Sequence, residues 1–206
     1  MKVVLVNGSP HEKGCTYTAL KEVEKQLNKN GIDTQIFWTG IKPISGCIGC
    51  GNCKNTGKCF MKDKVNEFLE IVPEVDGFVF GTPVHFASPS GTITSFMDRA
   101  FYAGKKLFQN KPAAGIVSCR RGGATSSFDQ INKYFSINNM PIITSQYWNM
   151  VHGNKPDEVV QDEEGMQTMR TLANNMAWIL KCIEQGKKAG IQIPDKEEQI
   201  KTNYIR

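Results

Sequence analysis

The sequence predicts an α/β protein in which helices cover both faces of a doubly wound parallel sheet of five strands. Apolar, β-branched runs alternate with amphipathic segments along the chain, as they do in successive strand–helix units. The first run, KVVLVNG at residues 2–8, is almost continuously apolar, which is typical of a strand buried on both faces. A chain of 206 residues also buries enough surface to fold without a cysteine staple.

The elements are predicted in order along the chain. The first helix places Leu20, Val23 and Leu27 on one stripe and ends at Asn30-Gly31, a favourable C-cap. Later runs repeat the alternation with right-handed crossovers. The strands are predicted at 2–8, 33–40, 77–83, 113–119 and 141–148, and the helices at 16–31, 63–72, 92–107, 126–138 and 163–186. We expect a single domain over 1–206 that ends in a polar arm at 190–206.

Charge and hydropathy exclude some classes of protein. The net charge is +5, and residues 41–64 carry five lysines against one aspartate, whereas residues 155–164 carry five acidic residues against one lysine. The basic segment has no series of interleaved aromatic residues and no nucleic-acid motif, so we expect no nucleic-acid partner. No run approaches the roughly 18 apolar residues of a membrane span, and MKVVLVNGSP lacks a signal-peptide core. We therefore expect a cytoplasmic protein that does not bind a membrane.

Four of the seven cysteines lie together in GCIGCGNCKNTGKC, residues 46–59. A disulfide knot is disfavoured because the expected compartment is reducing and the total is odd. The spacing C-x2-C-x2-C-x5-C lacks the long spacer of most structural zinc sites and is close to the bacterial ferredoxin run. A cluster, another metal and free redox thiols all stay open at this point. Cys119 and Cys182 are expected to be buried small hydrophobes.

The loop after the first strand, NGSPHEKGCTYT at 7–18, is a candidate phosphate site. It combines glycines and hydroxyls with the start of a helix, whose free N–H groups and partial positive charge favour an anion. It matches neither the dinucleotide turn nor the Walker loop. The alternative is an ordinary helix capped by Thr16.

Three segments together resemble one family. GSP…KG.T in the first loop, GFVFGTPVHFASPSGTITSFMDRAFY at 77–102 and SCRRGGATSSFDQINKYFSINNMPIITSQYWNMVHG at 118–153 resemble the NADPH-dependent FMN reductases. The resemblance covers roughly residues 1–185. It implies a flavodoxin-like fold with strand order 2-1-3-4-5, FMN as the cofactor, and flavin-dependent oxidoreductase activity.

The resemblance also implies site residues. The FMN phosphate would be held by Ser9, Pro10, Lys13, Cys15, Thr16 and Thr18. The isoalloxazine would lie along Pro83, Val84, His85 and Phe86, and the third flavin loop would contribute Ser118, Arg120, Gly122 and Gly123. The family usually has Asn where Cys15 stands, so a backbone contact is expected there. His85 is a candidate proton donor or simply packs by the flavin, while Arg120 and Arg121 face reduced flavin, a nicotinamide phosphate or solvent.

Within the family, the cysteine-rich loop at 46–60 resembles that of the iron–sulfur flavoproteins. This resemblance implies a 4Fe–4S cluster on Cys47, Cys50, Cys53 and Cys59. The donor and acceptor stay open: NAD(P)H or a redox protein such as ferredoxin. The alternatives are a cluster-free NAD(P)H-dependent FMN or quinone reductase, and a non-catalytic flavin electron carrier or redox sensor. Aromatics at Tyr147 and Trp148, which line an acceptor pocket or an interface, favour a homodimer or tetramer.

Overall fold

A computed structural model describes residues 1–195, 197–198 and 200–205 of the chain. Five strands run parallel, β1 at Lys2–Asn7, β2 at Asp33–Trp38, β3 at Gly77–His85, β5 at Ala113–Cys119 and β6 at Met150–His152, and a short antiparallel strand, β4 at Ser88–Pro89, pairs with β3. The sheet has the order β2-β1-β3-β5-β6. This is the predicted order 2-1-3-4-5 once the two-residue β4 is set aside, so the predicted fold class is confirmed.

The helices follow the predicted alternation, with additional short segments. They are α1 at Cys15–Lys29, α2 at Cys53–Thr56, α3 at Lys64–Ile71, α4 at Gly91–Ala103, α5 at Lys105–Phe108, α6 at Ala124–Ile137, α7 at Pro156–Gln161 and α8 at Glu163–Lys188. The predicted helix at 92–107 is divided at Gly104, the residue between α4 and α5. A Cβ at Gly104 would lie 2.5 Å from Leu69, so close packing on α3 explains the glycine.

Alternate side chains of the central strands enter two cores. Val3 and Leu5 of β1 pack in the core that holds the apolar stripes of α1 and α8. Val4 and Val6 face the opposite core, where Phe68 of α3 contacts several other phenylalanine rings. Burial on both faces of β1 is what its continuous apolar run predicts.

The predicted strand at 141–148 is wrong. This segment makes a single bridge, from Ile142 to Ala113, and the chain then leaves the sheet until β6 begins at Met150. The hydroxyl of Ser145 donates to the carbonyl oxygen of Tyr147 and accepts from the Tyr147 amide. Such a local side-chain turn competes with strand pairing. It leaves Tyr147 and Trp148 about half exposed, where β-propensity alone predicts them in the sheet.

Two further segments differ from or extend the predictions. Cys119 is buried as expected, but Cys182 is exposed, because it lies two residues beyond the inward-facing Leu180 and therefore on the outer side of α8. After α8, residues 190–195, 197–198 and 200–205 are exposed and form no helix or strand, while positions 196, 199 and 206 of the predicted arm lie outside the described residues. Within the described part of the chain, no helix has the length and hydropathy to cross a bilayer.

Candidate functional site

The loop between β1 and α1 is held in shape by its own side chains. The side-chain amide of Asn7 donates to the carbonyl oxygen of Glu12 at 3.0 Å, and its oxygen accepts from the amide of Ser9 at 3.1 Å. The Ser9 hydroxyl in turn accepts from the amide of His11 at 3.1 Å. The loop therefore has a fixed backbone before any ligand binds.

The first turn of α1 leaves backbone N–H groups available. Gly14 occupies the N-cap position, and no side chain caps the helix. The amides of Thr16 and Tyr17 have no acceptor among the described residues. Uncapped amides at a helix N-terminus favour an anionic ligand. The alternative of an ordinary helix capped by Thr16 is therefore wrong.

The side chains predicted to hold a phosphate face protein partners. The Thr16 and Ser118 hydroxyls are 2.8 Å apart and both residues are buried. The Thr18 hydroxyl donates to the carbonyl oxygen of Gly14, and the Cys15 thiol lies 3.7 Å from the carbonyl oxygen of Gly153. Burial raises the pKa of the Cys15 thiol. What this turn offers to an anion is consequently its backbone, together with the exposed Lys13 on the loop.

The predicted flavin segment at Pro83–Phe86 covers the last three residues of β3 and the first residue of the strained turn that joins β3 to β4. Phe86 and Ala87 have φ values of 50° and 59°, the left-handed region that non-glycine residues adopt rarely. Phe86 is fully exposed at this turn, and His85 beside it is exposed as well. Backbone strain of this kind persists where the surrounding structure holds it, often at ligand sites.

The loop after β5 holds that hairpin in place. Gly123 has a φ of 92°, and a Cβ there would lie only 2.6 Å from the Cα of Ala87. The Ser126 hydroxyl donates to the carbonyl oxygen of Ala87. Arg120 and Arg121 project outward beside this contact, and neither has an ion pair within the described residues.

Ser90, which the sequence analysis did not single out, joins two of these loops. Its hydroxyl donates to the carbonyl oxygen of Gly8 at 2.8 Å and accepts from the amide of Ile93, so that it caps α4. Its own amide donates to the Thr82 hydroxyl at 3.0 Å. The available signal was a serine directly before a helical segment. The loops after β1, β3 and β5 thus form one rim at the carboxyl edge of the sheet, which is where ligands bind in doubly wound folds.

The four clustered cysteines form a second candidate site. Cys47, Cys50, Cys53 and Cys59 all line one small cavity of about 20 Å³, which is partly open to solvent. Burial raises the pKa of the Cys53 thiol, and the negative charge of the other three thiolates raises it further. Among the described residues, no three His, Cys, Asp or Glu side chains converge closely enough for a single metal ion. Four thiols facing one cavity fit a multi-iron cluster in donor chemistry, since thiolates are the ligands such clusters use.

Cys59 differs from the other three because its position is fixed. Its amide donates to the side-chain oxygen of Asn66 at 3.0 Å, and the Asn66 side-chain nitrogen donates to the carbonyl oxygens of Cys59 and Met61. The Cys59 sulfur accepts from Nε of Arg99 at 3.3 Å. Cys47 and Cys50, by contrast, are exposed.

Arg99 was not predicted as a site residue, although its helix was quoted for the family resemblance. It is 2% exposed, and its guanidinium forms an ion pair with Asp63 at 2.6 Å. Burial lowers the pKa of Arg99, but hydrogen bonds to Asp63 and Cys59 outweigh that effect, so the pKa is raised. The sequence signal was an arginine within an otherwise apolar stripe of α4, a combination that burial permits only when the charge is paired.

The rim and the cysteine cavity define a class of protein: an α/β protein with free backbone amides at the carboxyl edge of its sheet and a thiol-rich loop. Comparison with known proteins shows its family. The family model described as NADPH-dependent FMN reductase matches residues 1–155, and the chain belongs to this family. It is a flavin-dependent oxidoreductase, and FMN is the cofactor that the family supports, as the sequence predicted.

Named relatives are similar over most of their length. An iron–sulfur flavoprotein of Methanocaldococcus jannaschii is 32% identical over 194 residues, which are 90% of this chain and 100% of the relative. An iron–sulfur flavoprotein of Archaeoglobus fulgidus is 28% identical over 88% of this chain and 98% of the relative. These relatives confirm the resemblance to the iron–sulfur flavoprotein branch.

A solved structure supports the fold. A flavodoxin from the domain Archaea superposes with a TM-score of 0.60 at 15% identity, over 88% of this chain and 99% of that one. At this identity the likeness shows the fold alone. The fold is therefore flavodoxin-like, as predicted.

Proposed function

We propose that this protein binds FMN at the rim and a 4Fe–4S cluster on Cys47, Cys50, Cys53 and Cys59, and that it moves electrons between a reduced donor and an acceptor. Bound FMN accepts hydride or single electrons, and a cluster exchanges single electrons. The observation that carries the proposal is the shared cavity of the four thiols, and the names of the relatives support it.

The residues at the rim would hold and shape FMN. The phosphate would take the free N–H groups of the first turn of α1, with the Lys13 ammonium nearby. The hairpin at Pro83–Phe86 and the loop of Ser118, Arg120, Gly122 and Gly123 would border the isoalloxazine. Pro10 lies in the loop after β1, a few residues before the backbone amides that would bind the phosphate.

For two residues of the rim, His85 and Arg120, we propose two alternative roles each. His85 is exposed, so proton delivery from it to reduced flavin competes with delivery from water. Arg120 would favour anionic reduced flavin or bind a nicotinamide phosphate, since both ligands are negatively charged.

The donor or acceptor would meet the cysteine cavity at its exposed edge. Ile48, Phe60 and Tyr102 line the cavity and are at least half exposed, and Lys54 and Lys58 lie exposed on the same loop. A surface with these apolar residues at its centre and lysines around them suits an acidic redox protein such as ferredoxin. We further propose a homodimer or tetramer, in which Tyr147 and Trp148 lie at the interface and a cluster approaches the flavin of a neighbouring subunit. The location would be cytoplasmic, with no nucleic-acid or membrane partner.

A second candidate is a cluster-free NAD(P)H-dependent FMN or quinone reductase. Among the described residues, no three His, Cys, Asp or Glu side chains lie close enough together to hold a single metal ion, and this favours the cluster-free reductase. One experiment decides between the two. Protein purified without oxygen and supplied with iron and sulfide is assayed for iron, sulfide and its visible spectrum. About four irons per chain, with broad visible absorbance beyond that of flavin, support the cluster. Yellow protein that contains no iron supports the cluster-free reductase.

A further inference from the structure

Arg99 has an unusual set of partners. A guanidinium has five N–H donors in a rigid fork, and all five have acceptors here. Nε donates to the Cys59 sulfur, and the two terminal nitrogens donate to the Asp63 carboxylate and to two backbone carbonyl oxygens, those of Ser45 and Met61. Every acceptor lies between residues 45 and 63. Arg99 therefore fastens the cysteine loop, and no other segment, to α4.

The contact with sulfur distinguishes Cys59 from the other three cysteines. Arg99 approaches the sulfur from α4, while Asn66 holds the backbone of the same residue from α3. Cys47 and Cys50 are exposed, and Cys53 begins the short helix α2. One of the four thiols is therefore held by neighbouring helices, and the other three lie on a glycine-rich stretch. This explains why the four thiols line one cavity, although no three of them lie close enough to bind a single metal ion.

Asp63 supplies the negative charge that pairs with the buried guanidinium of Arg99. Its carboxylate accepts both terminal nitrogens of Arg99, at 2.6 and 2.9 Å, and also accepts from the amide of Val65 as the N-cap of α3. A buried charge that is paired and fully hydrogen-bonded avoids most of the cost of desolvation. The pair leaves Nε, the central donor of the fork, directed at the sulfur.

We infer that Arg99 is a positioning residue that fixes the Cys59 sulfur and, in the cluster of the proposed function on which this inference rests, raises the reduction potential by donating an N–H···S hydrogen bond. Such a bond withdraws electron density from the thiolate, and hydrogen bonds to cluster sulfurs are among the factors that set potentials. Asn66 holds the same residue but donates to no sulfur. It is therefore the natural control.

The test compares Arg99→Lys with Asn66→Ala. Lysine keeps the positive charge but has no planar fork, so it cannot serve Asp63 and Cys59 together. In protein loaded with iron and sulfide, a redox titration followed by electron paramagnetic resonance should give a more negative cluster potential for Arg99→Lys. Asn66→Ala should keep the wild-type potential although its loop is looser. An unchanged potential in Arg99→Lys, or an equal shift in Asn66→Ala, overturns the inference.

A measurement on wild-type protein covers the case in which Arg99→Lys does not fold. Protein grown with arginine labelled with ¹⁵N in the guanidinium is reduced, and hyperfine coupling from ¹⁵N to the cluster is sought by pulsed resonance. The contact of 3.3 Å between Nε and sulfur predicts a resolved coupling. Its absence overturns the inference.

Iron-free protein separates this inference from the proposed function. If wild-type protein takes up no cluster, the proposed function fails, and the positioning role is then decided by hydrogen exchange alone. Arg99→Lys should speed the exchange of amides in residues 45–63 relative to wild type, because five bonds to that segment are disturbed. Unchanged exchange overturns the positioning role as well.

Discussion

Replacing Gly123 with alanine tests how the hairpin of β3 and β4 is held in place. The new Cβ would lie 2.6 Å from the Cα of Ala87 and 2.8 Å from a methyl of Val84, and the φ of 92° is unfavourable to any side chain. The left-handed backbone costs about 1–2 kcal/mol and the overlap about 1–3 kcal/mol. The free energy of unfolding should therefore fall by about 2–5 kcal/mol. For a chain of this size that corresponds to a melting temperature lower by roughly 4–20 °C.

The neighbouring glycine provides the control for stability. A Cβ at Gly122 meets no atom within 4 Å, and its φ lies outside the left-handed region. Gly122→Ala should therefore melt within about 2 °C of wild type, since surface substitutions without such contacts change stability little. Circular dichroism of both variants without flavin measures the difference.

Gly123→Ala should also weaken FMN binding. The overlap at Gly123 can be relieved only by moving the hairpin or the loop after β5, and both belong to the rim. A displacement that costs about 1.4 kcal/mol in binding raises the dissociation constant tenfold, and we expect at least about that effect in a fluorescence titration at a temperature where the variant is folded. Equal melting temperatures for Gly123→Ala and Gly122→Ala would refute the reasoning.

Three further predictions concern named side chains. Thr16→Val should lower the free energy of unfolding by about 1–2 kcal/mol, because the buried Ser118 hydroxyl loses its partner. It should change the FMN dissociation constant by no more than about threefold, since in the proposed site the phosphate binds backbone amides and not the Thr16 side chain. A double-mutant cycle with Ser118→Ala measures the coupling between the two hydroxyls, and a coupling energy of zero would contradict the contact. Cys50→Ser, prepared without oxygen, should lose iron but keep FMN, because the two sites share no residue; loss of both, by metal analysis and chromatography of released flavin, would mean that the sites depend on each other. Cys53 in iron-free protein should be alkylated at a higher pH than a cysteine in a peptide, because burial and the neighbouring thiolates raise its pKa; a mass-spectrometric pH profile that matches the peptide would contradict this.

Much of the fold follows from local sequence pattern. The runs at 2–8, 77–83 and 113–119 are mostly apolar, as is typical of strands that are buried on both faces. The ends of the amphipathic helices were predicted to within a few residues, because an apolar stripe that repeats every three to four residues is also a local pattern. Pattern failed at 141–148, where the sequence resembles a strand but a hydroxyl, that of Ser145, forms a competing turn. The competing turn depends on two hydrogen bonds of a single side chain, and hydrophobic periodicity carries no information about them.

The candidate site was predictable in its parts and less so in its connections. Glycines, hydroxyls and clustered cysteines are visible in the sequence. The contacts that join them, Thr16 with Ser118 and Gly123 with Ala87, link residues that are 102 and 36 positions apart in the sequence, and no spacing rule predicts such pairs. The left-handed turn at Phe86 was also hidden, because neither Phe86 nor Ala87 is a residue type that favours it.

Helix α4 connects the two candidate sites within one chain, because its two ends contact different loops. Its N-cap, Ser90, donates a hydrogen bond to the loop after β1 at the rim, and Arg99 holds the cysteine loop nine residues further along. At a rise of about 1.5 Å per residue, those two contacts are roughly 14 Å apart along the helix. A rigid helix keeps that separation fixed, whereas the loop itself would not. Ser90 and Arg99 therefore set where the Cys59 thiol lies relative to the rim, independently of what the loop binds.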